Sequence, residues 1–188
     1  MIIVIGLGNP GGKYVDHRHN IGFQILDVLS DNWNVSFVEK GIFSASLAQK
    51  NDVVLVKPTT FMNHSGVAAR AVLKQYPEAT IAVVYDDIDI NLGEIKISFG
   101  RGAGGHNGVQ SIIDHLGTRD FARIRVGVRP VHEELKSKIL PPHGFETFLL
   151  SNFAPFEKDK REEGMKKAIT VIEAMPTKTL EEIMNQYN

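Results

Sequence analysis

Short runs of apolar residues alternate along the chain with longer stretches whose apolar positions recur every three or four residues. Residues 2–5, 53–56 and 81–84 consist entirely of Ile, Val, Leu and Ala. Uninterrupted apolar runs of this length predict strands that are buried on both faces of a sheet. Residues 94–98 and 123–128 alternate apolar and polar side chains, which is typical of half-buried strands.

Helical periodicity appears between these strands. Apolar spacings of three and four predict helices over residues 21–33, after Gly66, from residue 107, after Pro155 and after Pro176. This alternation predicts an α/β fold in one domain, residues 1–188, with a twisted, mixed and mostly parallel central sheet flanked by helices. Two predicted strands follow one another without a helix, so part of the sheet should be antiparallel.

Composition narrows the class of protein. The chain has 188 residues, 43% hydrophobic and 23% charged, and no cysteine. The missing cysteines exclude disulfides, thiolate metal sites and a cysteine nucleophile. No apolar run approaches the roughly 20 residues of a membrane span, and no secretory signal is recognisable. We therefore expect a cytoplasmic protein that does not associate with membranes.

Charge is unevenly distributed along a chain whose net charge is −1. Residues 96–129 carry six basic residues, including Lys96, Arg101 and Arg125, against two acidic ones. A local basic region in a neutral protein is the pattern expected where an anionic polymer binds one face. Such a region is as common on a solvated surface.

The glycines after the first strand admit a nucleotide-binding interpretation. Gly6, Gly8 and Gly11 match the G-x-G-x-x-G spacing of dinucleotide-binding proteins. That motif needs a helix to begin near its second glycine. Here Pro10 intervenes, and the acid expected about twenty residues later would be Asp27, inside a predicted helix. We therefore favour a polar functional loop over a dinucleotide site.

Polar residues recur where the predicted buried strands end: Asn9, His19, Asn63 and Asp86. Asn107 begins a helix after a glycine-rich loop. The exits of parallel strands gather at one edge of a sheet. A histidine can take a proton from water, a carboxylate can orient it, and amide N–H groups can hold an oxyanion.

Other interpretations of these residues remain open from the sequence alone. Asn63 and Asn107 could equally cap helix N-termini. Asp86, Asp87 and Asp89 could hold a divalent cation, although solvation and loop capping are commoner roles for the latter two. No G-x-S-x-G nucleophile motif is present.

Taken together, the motifs resemble those of the bacterial peptidyl-tRNA hydrolase family. The similarity lies in Gly6 to Gly11 with Tyr14 and Arg18-His19-Asn20, in Pro58 to Gly66, in Tyr85 to Asp89, in Gly104 to Gly108 and in Phe121 to Gly127. The resemblance implies a cytoplasmic, monomeric esterase in which water cuts the ester between peptide and tRNA, without metal or cofactor. An RNA- or protein-binding module of the same fold is the alternative.

The resemblance also assigns roles by position. His19 is expected to be the base and Asp86 its orienting partner, while Asn9 and Asn63 bind the tRNA 3′ end and polarise the ester carbonyl. Asn107 would bind the peptide backbone near the scissile bond. The remaining groove residues would be Tyr14, Phe61, Met62 and His106.

At two places the family pattern cannot be applied to this sequence directly, namely Ser98 and residues 129–154. The family often has a basic residue at the position of Ser98, which pairs with the arginine matching Arg125 to bind the 5′ phosphate of the tRNA. Ser98 cannot supply that charge, so we expect Arg101 or Lys96 to assist Arg125. Residues 129–154, with proline-rich and mixed-charge sequence at 129–144, are expected to form a lid or surface excursion.

Overall fold

The computed structural model describes residues 1–131 and 144–188. Its strands are β1 (Ile2–Gly6), β2 (Val38–Lys40), β3 (Ala45–Lys50), β4 (Val53–Pro58), β5 (Thr80–Asn91), β6 (Ile95–Phe99) and β7 (Ala122–Arg129). Its α-helices are α1 (Ile21–Asn32), α2 (Ser65–Gln75), α3 (Asn107–Leu116), α4 (Gly144–Leu149), α5 (Lys158–Ala174) and α6 (Leu180–Tyr187). Across both ranges, the structure contains no helix with the length and apolar character that a membrane crossing requires.

The strands form one sheet in the order β2-β3-β4-β1-β5-β7-β6. The central strands β4, β1, β5 and β7 are parallel to one another. The outer pairs, β2 with β3, β3 with β4, and β6 with β7, are antiparallel. The predicted α/β class, with a mixed sheet that has a mostly parallel centre, is confirmed.

Apolar residues of the central strands fill two cores, one on each face of the sheet. In β1, Val4 packs with α1, α5 and α6, whereas Ile3 and Ile5 pack with α2 and α3. Successive side chains of a strand point to opposite faces. An uninterrupted apolar run is therefore what a strand covered by helices on both sides requires.

Strand β5 is longer than the sequence predicts. The expected buried strand covers residues 81–84 and ends in the acidic run that follows, whereas β5 continues through that run to Asn91. Its neighbour β1 stops at Gly6, opposite Val84, while β7 continues to pair with β5 through Asp87 and Gly127. Asp86 thus lies inside a strand, hydrogen-bonded on one side only, at the edge that the end of β1 leaves open.

Helix α1 packs very closely against the end of β1 and the middle of β5. A Cβ atom at Gly22 would lie 2.4 Å from the Val84 carbonyl oxygen and 2.5 Å from the Leu7 amide nitrogen. Only glycine therefore permits this approach. The 3₁₀ turn Arg18–Asn20, which leads directly into α1, is consequently held against the open edge of β5.

The C-terminal third of the chain is anchored to the same turn by a buried ion pair. Both guanidinium Nη atoms of Arg18 donate to Glu157, at 3.2 and 2.5 Å, and both side chains are almost wholly buried. The guanidinium also lies over the rings of Phe148 and Phe153, at 4.2 and 4.6 Å. The pair links α4 and the start of α5 to the residue that precedes His19.

Residues 129–154, expected to form a lid or excursion, are described in part. Residues 129–131 and 144–154 are described and include α4, whereas residues 132–143 lie outside the described residues. Helix α4 carries buried Phe148, which packs on Arg18. This part of the segment is therefore attached to the domain by the packing of Phe148 on Arg18.

Replacing Glu157 by Gln should destabilise the fold strongly, because the buried Arg18 charge would lose its counter-ion. Breaking a buried pair from one side typically costs about 3–5 kcal/mol. Urea unfolding of the variant should show this loss as a lower midpoint with a similar slope. Glu162→Gln is the matched control, since Glu162 forms an exposed pair with Lys158 and its loss should leave the midpoint near wild type. Equal midpoints for both variants would contradict a stabilising role for the buried pair.

Candidate active site

A cavity of about 380 Å³ opens beyond the end of β1, beside the part of β5 that contains Asp86. Its walls come from the loop after β1, the turn before α2, the start of α3, and α4 with the residue that follows it. The lining residues are Asn9, His19, Phe61, Met62, Asn63, Gly105, His106, Asn107, Phe145, Glu146, Leu149 and Leu150. The polar residues that the sequence places at separate strand exits are thus brought to one cavity, with Asp86 behind His19.

His19 and Asp86 form a direct pair. The His19 Nδ1 atom lies 2.8 Å from Asp86 Oδ1. Asp86 is 2% exposed, whereas His19 lines the cavity. An ionised carboxylate only accepts hydrogen bonds, so Nδ1 carries the proton and Nε2 retains its lone pair. No hydrogen bond from the described residues occupies this Nε2 atom, which leaves it able to accept a proton.

A second histidine binds the same carboxylate oxygen. His106 Nε2 lies 3.1 Å from Asp86 Oδ1, and His106 Nδ1 accepts the backbone N–H of Val109 at 3.3 Å. An Nδ1 atom that accepts must be unprotonated, so Nε2 donates to Asp86. The two imidazoles together hold Asp86 in place, and the backbone of α3 fixes the tautomer of one of them.

The shared carboxylate is kept ionised by this arrangement. Burial alone would favour the neutral acid, but electrostatic attraction and hydrogen bonds from the His19 and His106 rings outweigh burial and hold the pKa of Asp86 far below its ordinary value. For His19, burial likewise opposes the charged form. The Asp86 charge and hydrogen bond, with a contribution from Glu146, outweigh it and raise the pKa of His19 above its ordinary 6.5.

The same three side chains have the composition of a metal site. One ligand atom from each of His19, Asp86 and His106 lies within 4.8 Å of the others. A metal on His106 Nε2 would require the proton on Nδ1, where the Val109 N–H already donates. The hydrogen bonding therefore favours proton transfer over metal ligation at this cluster.

Asn9 is fixed by hydrogen bonds on three sides. Its backbone N–H donates to Asn20 Oδ1 at 3.0 Å, and its carbonyl accepts from Asn20 Nδ2 at 2.9 Å. Its side-chain oxygen accepts the Met62 N–H at 2.9 Å. This bond establishes which atom of the Asn9 side-chain amide is the oxygen. The NH₂ group of the same amide has no partner among the described residues. A rigid N–H donor beside His19 suits an oxyanion.

The other two asparagines are exposed residues of the cavity wall. Neither caps a helix. The cap of α3 is the His106 side chain, and the residue at the start of α2 is His64, without a side-chain cap bond. In residues 1–131 and 144–188, no hydrogen bond engages the amides of Asn63 and Asn107, so both are available to a ligand.

Tyr14 stands apart from the predicted groove residues. Phe61, Met62 and His106 line the cavity, but Tyr14 does not. Its ring packs edge-on against Phe61, with centroids 6.2 Å apart. Phe61 is 56% exposed at the rim. Tyr14 therefore supports a cavity residue from outside.

A separate basic cavity of about 360 Å³ is formed by β5, β6, β7 and the loop that follows β6. It is lined by Tyr85, Asp87, Ser98, Arg101, Gly102, Ala103, Gly104 and Arg125. Arg125 donates through Nε to Asp87 Oδ2 at 2.7 Å, which leaves its Nη groups free of partners among the described residues. Burial raises the pKa of Tyr85 to about 12, so its hydroxyl remains a donor.

Of the three predicted phosphate-binding residues, Arg125 and Arg101 share this cavity. Lys96 does not line it, although it is the cross-strand neighbour of Arg125. Arg123, on the same face of β7 as Arg125, is fully buried and donates to the Arg101 carbonyl oxygen. It therefore shapes the Arg101 loop. The Ser98 hydroxyl is buried without a partner among the described residues.

Sequence reasoning missed the cavity wall made by α4 and the ion pair that anchors it. Six residues with one acid, Gly144–Leu149, have no periodicity long enough to predict a helix. Arg18 and Glu157 are 139 positions apart, so no local pattern relates them. The only available signal was the position of Arg18 next to His19 in the opening motif.

Comparisons with known proteins agree over the whole chain. The family model described as peptidyl-tRNA hydrolase matches residues 3–188. A peptidyl-tRNA hydrolase of Bacillus subtilis is 37% identical over 194 residues, covering 100% of this chain and 98% of the relative. One from Gloeobacter violaceus is 38% identical over 192 residues, covering 99% and 93%. The crystal structure of peptidyl-tRNA hydrolase from Acinetobacter baumannii superimposes with a TM-score of 0.85 at 29% identity, covering 100% of this chain and 94% of that one. This chain belongs to the peptidyl-tRNA hydrolase family.

Proposed function

We propose that this protein hydrolyses the ester between peptide and tRNA in peptidyl-tRNA, which recycles tRNA from peptidyl-tRNA released prematurely from ribosomes. The observation that carries the proposal is the His19–Asp86 pair, at 2.8 Å, with Nε2 unengaged in a cavity shared with Asn9. Family membership supplies the substrate class. No cofactor or metal is needed for the steps that follow.

The first step activates water. The Nε2 atom of His19 accepts a proton from water as the water oxygen attacks the ester carbonyl carbon. Asp86 accepts the Nδ1–H and stabilises the imidazolium that forms. Because Asp86 also accepts from His106, its carboxylate does not need to rotate during this step.

The second step breaks the ester. The carbonyl oxygen becomes an oxyanion, which the fixed NH₂ group of Asn9 can bind, with Asn63 as a second donor. When the carbonyl re-forms, the bond to the 3′-terminal ribose oxygen breaks and the His19 imidazolium returns a proton to that oxygen. The products are the peptide acid and a tRNA with a free 3′ end.

The remaining lining residues would position the substrate. Asn107, at the start of α3, is available to bind the peptide backbone, while Phe61, Met62 and His106 form the walls of the groove. Tyr14 would act by holding Phe61. A site that binds the amide of an acylated amino acid leaves groups unpaired when the ligand is a free amino ester. Free aminoacyl-tRNA should therefore be spared.

We also propose that the basic cavity binds a tRNA phosphate. Arg125 and Arg101 line it, and the buried Ser98 hydroxyl can serve as a neutral donor in the position where the family resemblance leads us to expect a cation. Lys96 would add long-range attraction only. Contacts to phosphates position a nucleic acid without reading its sequence, so different tRNAs should bind alike. We expect the protein to act as a monomer in the cytoplasm; sedimentation of the free protein as a dimer would contradict this.

Asp86→Asn should lower the rate and move its acid limb to lower pH. His19 must be neutral to accept a proton, so the wild-type rate rises as pH passes through a pKa above 6.5. Without the Asp86 charge, the lowering effect of burial on the His19 pKa is less opposed, so that pKa falls. The rate of the variant therefore rises at lower pH than that of wild type. The rate on the plateau should fall at least about a hundredfold. The measurement is hydrolysis of N-acetylaminoacyl-tRNA from pH 5 to 9.

The same assay tests the proposed function with unmodified protein. Wild type should hydrolyse the N-acetylated ester and leave free aminoacyl-tRNA intact. Hydrolysis of neither substrate would refute the proposed function. An acid limb at the same pH in wild type and Asp86→Asn would refute only the His19–Asp86 mechanism.

Arg125→Ala should weaken tRNA binding and make it less sensitive to salt. Each lost phosphate contact reduces the slope of log affinity against log salt by about one. Filter binding of deacylated tRNA across a salt series measures this slope. Arg70→Ala is the matched control, because Arg70 is exposed on α2, away from the basic cavity. Identical slopes in Arg125→Ala and wild type would place the phosphate elsewhere.

A further inference from the structure

The catalytic cavity and the basic cavity carry opposite charges. Among the described residues, Glu146 is the one carboxylate that lines the catalytic cavity, and no lysine or arginine lines it. The basic cavity instead contains Arg101 and Arg125. Asp86, the other acid near His19, is buried and already bound by two imidazoles.

This separation orients the proposed substrate, and the inference below rests on the proposed function. A tRNA is a polyanion, so its phosphates are attracted to the basic cavity and repelled from Glu146. The tRNA end that carries the ester must therefore approach His19 from the side of the basic cavity. The part of the cavity beside α4 is then left for the peptide, and the side chain of its last residue lies closest to the ester.

The α4 wall combines apolar surface with one acid. Phe145 is 57% exposed and Leu150 38% exposed, and both line the cavity with Leu149 and Glu146. Half-exposed Phe61 stands in the same lining. A lysine or arginine side chain has an apolar stem and a charged head, so it can lie on apolar surface while its head meets a carboxylate. An acidic side chain would be repelled there.

We propose that Glu146 gives this enzyme a preference among peptidyl-tRNAs: those whose last residue carries a cationic side chain are hydrolysed more efficiently than those ending in an acidic one. Glu146 thereby acts as a specificity-determining residue. It takes no part in the proton transfer, which belongs to His19 and Asp86.

The charge of Glu146 already reaches the catalytic histidine. Burial lowers the pKa of His19, whereas Asp86 and, more weakly, Glu146 raise it above its ordinary value. The remaining titratable neighbour is His106, whose ring centroid lies 4.9 Å from that of His19. A carboxylate whose field is felt at the base also acts on a substrate charge placed between the two. Removing it should lower the pKa of His19 as well as change substrate preference.

The test uses one tRNA carrying three different esters, N-acetyl-lysyl, N-acetyl-leucyl and N-acetyl-glutamyl, so that only the side chain varies. For wild type, kcat/KM for the lysyl ester should exceed that for the glutamyl ester by about twofold to fivefold at low salt, as expected for one exposed charge pair. High salt should reduce the ratio. In Glu146→Gln the ratio should fall to about one, and in Glu146→Lys it should invert.

The matched control is Glu181→Gln, which removes an exposed acid of α6 outside the cavity. It should preserve the wild-type ratio and pH profile, whereas Glu146→Gln should also move the acid limb of the leucyl ester to lower pH. A wild-type ratio near one, or a ratio unchanged in Glu146→Gln, overturns the charge preference while leaving the esterase proposal intact. An equal loss of all three activities in Glu146→Gln also overturns it. Failure of wild type to hydrolyse any of the three esters refutes the esterase and this preference together.

Discussion

The buried carboxylate of Asp86, held by two imidazoles, is the interaction on which the rest of the site depends. An ionised acid that is 2% exposed is stable only when its partners replace the lost water. His19 and His106 do so at a single oxygen, at 2.8 and 3.1 Å. In the sequence, His19 precedes β5, just before α1, and His106 follows β5, at the start of α3. The charge requirement of one residue therefore brings two distant loops together.

The fold supplies the rigidity that this arrangement needs. Strand β1 ends early and exposes the edge of β5 at Asp86, while Gly22 lets α1 approach closely enough to present His19. Arg18 then fastens the same turn to Glu157 across a stack of two phenylalanines. The buried pair has no place in the chemistry. It fixes the backbone of the turn that carries His19. Through the packing of Phe148 on Arg18 it also holds α4, which forms a wall of the cavity.

Much of this could be predicted from sequence because it depends on local patterns. The apolar runs of β1 and β4 and the period of α3 predict a helix-covered parallel centre, and the polar residues at strand exits predict a shared edge. The exact end of β5 could not be predicted, since it depends on where β1 stops and β7 continues. The capping interpretation of Asn107 failed because a neighbouring histidine caps α3 instead. The Arg18–Glu157 pair and the place of Glu146 in the cavity depend on tertiary contacts alone.

Replacement of the His19 imidazole tests most directly whether His19, oriented by Asp86, is the group that activates water. Turnover of N-acetylaminoacyl-tRNA by His19→Ala should be compared with that by His64→Ala, which removes an exposed histidine of a neighbouring turn that does not line the cavity. The rate should fall by about a thousandfold in His19→Ala, with unfolding still cooperative, and should stay near normal in His64→Ala. Near-normal turnover by His19→Ala, or equal losses in both variants, would contradict the role of His19 as the base.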